Sequence, residues 1–276
     1  MFNSATTAEA EKAVRAAERR KLPVPEEVYE ARRLRTAVYD TARLPDPERP
    51  ALPGTAAEAA AVIQRHAEAL RLADVTRRAA GLYEEEAAQR FVEATQAAVP
   101  KWVAGLDKEF TALVAVVAKA ATKLPADVSD IDPKRINWND PAITTAYTKT
   151  EGAVVQLEQL VSDRSDIAAV AGSDGGRDNA LFAVASLPDP TVERVMNQDW
   201  QELSHRLAEW RRLTSQPVPR WVYLVRQTEL TLGLATPGQA RERAGCMHVW
   251  REATQARAAA DSLRSAHAQV AQVLSA

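Results

Sequence analysis

The 276-residue chain carries 35 basic and 37 acidic side chains, with 46% hydrophobic and 5% aromatic residues, the balance of a folded protein with material for one large or two small domains. A net charge of −2, with each half within two charges of neutral, supplies no global field for nucleic acid or anionic lipid. One cysteine, Cys246, rules out an intrachain disulfide framework, and no apolar run approaches the roughly 18 residues of a membrane span.

The first residues, FNSATTAEAEKAVRAAERR, lack the basic-then-apolar pattern of a secretory leader, so the expected location is the cytoplasm or a particle assembled there. About a fifth of the positions are alanine, the best helix former, and there are six tryptophans. That mixture predicts a thin helical core on small residues with a few large anchors.

Helix starts recur along the chain. Thr6-x-x-Glu9 and Thr55-x-x-Glu58 read as capping boxes, in which a hydroxyl accepts an orphan N–H and the Glu reaches back. Asp140-Pro141, Asp189-Pro190 and Thr236-Pro237-x-Gln239 pair an acceptor with a proline at the first helical position. Residues 1–54 form an N-terminal helical arm and a Pro-rich linker, RLPDPERPALPG; with few large apolar side chains, the arm is expected to order only against another surface.

A long segment follows at 55–124. Its seam of Ala59, Val62, His66, Ala69, Ala73, Thr76, Ala80, Tyr83, Ala87 and Ala94 predicts one helix of about forty residues, loosened at Gly81 and ended or kinked at Pro100. Val103, Leu106, Phe110, Leu113, Val117, Ala120 and Leu124 continue the helical period.

A linker at 125–140 leads to a C-terminal bundle at 141–276. Its first seam is Ile143, Tyr147, Val154, Leu157 and Val161, interrupted by Thr150. A second, on a helix over about 190–214, is Val192, Met196, Leu203, Leu207 and Trp210. Ala259, Leu263, Ala266, Val270 and Val273 make the last. Pro217 and Pro219 predict an extended turn, and WVYLV (221–225) is β-prone or the start of a helix. The fold class is mainly α: an elongated antiparallel helical bundle with one long Ala-rich, coiled-coil-like helix and little or no sheet.

No motif carries chemistry. Glu202-x-x-His205 has the spacing of one ligand pair of a di-iron bundle, but the chain has no second Glu-x-x-His. Cys246-x-His248, between Glu242 and Glu252, lacks a second Cys for a zinc site. Ser204 and His205 are helix neighbours about 100° apart, not a nucleophile and its base. Asp127, Asp130 and Asp132 lack the spacing of a calcium loop, and the glycine cluster GSDGGRD (172–178) reads as a turn. No phosphate-binding loop and no cofactor motif is present. Catalytic, cofactor and metal sites are therefore all expected to be absent.

The stretch AEWRRLTSQPVPRWVYLVRQ (208–227) holds two tryptophans and a local arginine surplus. One reading packs Trp210 and Trp221 as anchors of a helical corner. The other turns Arg206, Arg211, Arg212, Arg220 and Arg226 toward nucleic-acid phosphates. The packed corner is preferred, because the whole-chain charge does not suit a dedicated binder.

By elimination the chain reads as a non-catalytic structural or assembly protein. It would act through helix–helix contacts with itself or a helical protein partner, within a scaffold or a larger bacterial or viral particle. Contacts are expected at Val62, Ile63, His66, Leu70, Tyr83 and Phe91. A nucleic-acid-associated protein is the alternative, and a binder or enzyme with a pocket between helices comes third.

Overall fold

A computed structural model describes residues 4–172, 174 and 180–275. The fold is mainly helical: among the described residues there are ten α-helices and a single pair of two-residue strands. The chain divides into two compact units, Met1–Ala98 and Val99–Ala276.

The first unit begins with α1 (Ser4–Arg19) and α2 (Glu26–Ala42). Ala10, Ala13, Val14, Ala16 and Ala17 are all fully buried, so α1 packs through small side chains. Glu11 ties α1 to α2 by accepting from Arg32 (2.6 Å) and Arg35 (3.0 Å). The helix at Thr6 has already begun at Ser4, so this threonine lies inside α1 and is not its cap.

The expected single helix after residue 55 is two. α3 (Ala56–Gly81) starts at Thr55, whose side chain accepts from the Glu58 N–H. It ends at Gly81, and Leu82 and Tyr83 turn the chain before α4 (Glu84–Ala121). Glycine there lowers the cost of leaving the helix. Pro100, by contrast, sits inside α4. It is exposed, while Ala98, Val99, Trp102 and Val103 around it are buried. Packing on both sides of the proline outweighs its missing hydrogen bond.

In the second unit, the α4 seam of Val103, Leu106, Phe110, Val117 and Ala120 is buried, as its period predicts. α5 (Pro141–Ala168) is capped by Asp140, which accepts from Ala142 and Ile143. Thr150 does not interrupt the α5 seam. It is fully buried and returns its hydroxyl to the Ala146 carbonyl at 2.8 Å.

Three further boundaries differ from expectation. Thr191, not Asp189, caps α6 (Val192–Met196). Gln198, at φ 68°, then breaks the chain before α7 (Asp199–Arg212), so no continuous helix spans 190–214. α8 (Pro217–Val225) takes both prolines into its first turn, where the N–H groups lack intrahelical partners anyway, and makes WVYLV helical. α9 (Pro237–Ala259) and α10 (Leu263–Leu274) are separated by a new cap at Ser262.

The antiparallel strands β1 (Ala185–Ser186) and β2 (Thr231–Leu232) pair Ala185 with Leu232. Polar side chains pin the segments around them. Asp107 accepts from the Leu234 N–H, Arg243 donates to the Phe182 and Gly233 carbonyls, and buried Arg164 donates to Ala235 and to the carboxylate of Asp174. The other residues of the expected glycine turn, Ser173 and Gly175–Asp178, lie outside the described residues.

α9 carries a complete capping box, with Thr236 accepting from Gln239 N–H and the Gln239 side chain accepting from Thr236 N–H. Thr236→Ala is expected to destabilise the protein by about 1 kcal/mol in urea denaturation without changing its m-value.

Candidate interaction surface

α3 is the least covered long helix of the chain. Of its 26 residues only Ala80 is buried. Ala59, Val62, His66, Ala69, Ala73 and Thr76 form the half-buried seam that the sequence pattern picks out. At its C-terminal end α3 packs on α2, with Ala37, Val38 and Thr41 facing Val75, Thr76, Ala79, Ala80 and Tyr83 across a groove of about 440 Å³. A second groove of about 250 Å³, lined by Leu34, Val38, Tyr83 and Ala87, meets the first at Val38 and Tyr83.

The Pro-rich linker is fixed to α3 at its two ends. Arg77 donates to the Leu44 carbonyl (3.0 Å) and to Asp46 (2.7 Å), and Thr55 sits at the other end as the α3 cap. The helix rises about 33 Å from residue 55 to residue 77. Nine fully extended residues from 46 to 55 span about 30 Å. The linker is therefore a strap long enough to return from the Arg77 end of α3 to its cap at Thr55.

Neither groove nor strap covers the remaining apolar side chains. Ten of the fourteen exposed large hydrophobics among the described residues lie between Leu34 and Tyr83, which concentrates uncovered apolar surface in the first unit. Ala61, Arg65, Glu68, Leu72, Val75, Ala79 and Leu82 recur in alternating steps of four and three, and all are exposed. Sequence reasoning did not single out Leu72, Val75 or Leu82, because the small-residue seam, about a third of a turn away around α3, has the more regular pattern.

The six expected contact residues fall into three places. Ile63 and Tyr83 are well exposed and Leu70 is just so. Val62 and His66 are half-buried on the inner seam. Phe91 is fully buried under the Arg35 guanidinium, 5.2 Å from the ring centroid, so it belongs to the core of the first unit.

In the second unit, Trp210 and Trp221 are buried and meet edge to face at 5.9 Å, and Trp221 meets Phe110 the same way at 6.0 Å. The Trp221 indole N–H donates to Glu158 at 2.5 Å. The arginines of this stretch are engaged within the second unit. Arg206 binds Glu202 and Glu229, and Arg212 binds Glu209 through two bonds. Desolvation lowers the Arg206 pKa, but these two glutamates outweigh it and leave it raised. Arg220 lies over Trp210, 3.8 Å from the ring centroid, and burial lowers its pKa, with Glu158 pulling the other way. Arg226 donates to the carbonyls of Ala121, Leu124 and Ala126, at and just beyond the end of α4. Arg211 is exposed. Glu158, 63 residues before Trp221, gives no local signal in the sequence.

Glu202 is engaged by Arg206, His248 lies 3.3 Å from Glu252, and Cys246 is half-buried with Sγ 3.9 Å from the Pro188 carbonyl. Burial, reinforced by Asp189, raises the Cys246 pKa. Among the described residues no three His, Cys, Asp or Glu side chains gather as a metal site, and no helix is long and apolar enough to cross a membrane. No protein family, curated protein or solved structure matches the chain.

Arg226→Met would remove a donor from three carbonyls, of which only that of Ala121 keeps another, the Leu124 N–H, and is expected to cost about 2–3 kcal/mol in chemical denaturation. Arg226→Lys should recover only part of the loss, because an ammonium lacks the planar fork that reaches three acceptors.

Proposed function

We propose that this chain is a non-catalytic assembly protein that acts through α3, completing the packing of that helix against a helix of another copy or of a helical partner. The observation that carries the reading is the burial of α3: one buried residue in 26, with Ile63, Leu72 and Val75 open to solvent. Helices in proteins draw most of their stability from packing an apolar face. α3 has that face and leaves it largely uncovered.

The four-and-three spacing from Ala61 to Leu82 is the register in which two helices interlock side chains. Its apolar part runs from Leu72 to Leu82, and Arg65 and Glu68 give its other end a polar, orientation-selecting character. The nucleic-acid reading draws less support. The arginines it needs are engaged by glutamates, by Trp210 and by carbonyls of the same chain.

Size-exclusion chromatography with light scattering tests the proposal. The parent is expected to elute as an oligomer, or to be drawn into a complex with its helical partner. Leu72→Asp with Val75→Asp should weaken that association by at least about a hundredfold while leaving α3 helical, since Leu72 is exposed outside both grooves and Val75, although it lines the groove against α2, is 55% exposed. Val62→Asp, on the half-buried seam, should cost helicity as well. Association unchanged by the Leu72 and Val75 substitutions would contradict the proposal.

A further inference from the structure

We propose that the cavity between α7, α8 and the segment before β1 is a binding site for a small organic anion, a carboxylate or phosphate carried on an apolar body. The cavity has a volume of about 510 Å³ and lies wholly within the second unit. That size is in the range of small-molecule sites. Leu181, Leu207 and Trp210 give it apolar walls, and Arg211, Thr214 and Arg220 stand among them. Among the described residues no aspartate or glutamate lines it.

Arg220 is the group that the fold leaves unserved. Its guanidinium lies over the Trp210 ring, a contact that gives none of its N–H donors an oxygen acceptor. Its Nε is buried without a hydrogen-bond partner, and among the described residues its side chain makes no hydrogen bond or ion pair. Arg206, Arg212 and Arg226, on the same stretch of chain, all donate to glutamates or carbonyls. Burial lowers the Arg220 pKa. Glu158 opposes that shift through space, while its carboxylate accepts from Trp221.

A partly desolvated cation with unserved donors is costly unless something supplies charge and acceptors. An oxyanion in the cavity does both, and its paired oxygens match the planar fork of a guanidinium. Its apolar body then lies against Leu181, Leu207 and Trp210. A cation would meet two guanidinium groups, and a neutral apolar molecule would leave the Arg220 donors unserved.

Isothermal titration calorimetry on the full chain decides this, with benzoate and phenyl phosphate as probes and benzamide as their uncharged counterpart. The expected result is saturable one-to-one binding of at least one of the two anions, and the tighter of them identifies the headgroup. Benzamide should bind at least about tenfold more weakly. Arg220→Met, which keeps an apolar stem over Trp210 and removes the charge, should lose at least about tenfold. Thr214→Trp, which fills the cavity from an exposed position, should abolish binding while circular dichroism stays unchanged. No saturable binding of either anion, equal binding of benzamide, or binding indifferent to Arg220→Met and Thr214→Trp would overturn the proposal.

Discussion

Large apolar side chains are scarce in this protein, and the structure depends on how they are shared out. A helix holds its shape in water when one face is covered, and an alanine-rich face gains less from cover than a leucine-rich one. The second unit meets this constraint with a few big anchors. Trp102, Trp221, Trp250, Phe110 and Phe182 are almost completely buried. Where apolar area runs out, guanidinium groups take over: Arg164, Arg226 and Arg243 hold carbonyls of distant segments, each replacing a backbone partner that a ladder or a longer helix would have supplied.

The first unit meets the same constraint less completely. α1 is buried through alanines, and α2 covers one end of α3. The strap from Asp46 to Thr55 returns from the Arg77 end of α3 to its N-terminal cap. What remains is a long helix with apolar side chains on its outer surface and a groove centred on Val38 and Tyr83. The assembly proposal rests on this imbalance between the units.

Helical character was legible in the sequence because it is local. Caps at Thr55, Asp140 and Thr236 stand where the side-chain chemistry places them, and the seam from Val103 to Leu124 is buried as its spacing demands, apart from half-buried Leu113. Boundaries were less legible, because they depend on tertiary packing. Pro100 stays inside α4 because buried neighbours hold both sides of it, whereas the break at Gln198 answers to no cap or proline signal in the sequence. The site residues divide the same way. The inner seam of α3 could be read from its period, but which side would stay uncovered depends on where the strap lies. Glu158 and Asp107 find partners 63 and 127 positions away, a distance at which local pattern carries no information.

The central claim is that α3 reaches its full stability only when another helix covers it. Amide hydrogen exchange, followed by mass spectrometry across a range of protein concentrations and with any helical partner added, tests this most directly. The account predicts that protection of residues 56–81 rises with concentration or partner while that of α5 and α8 stays constant. Protection of 56–81 that is already as high as that of α5 in dilute protein, and indifferent to concentration and partner, would contradict it.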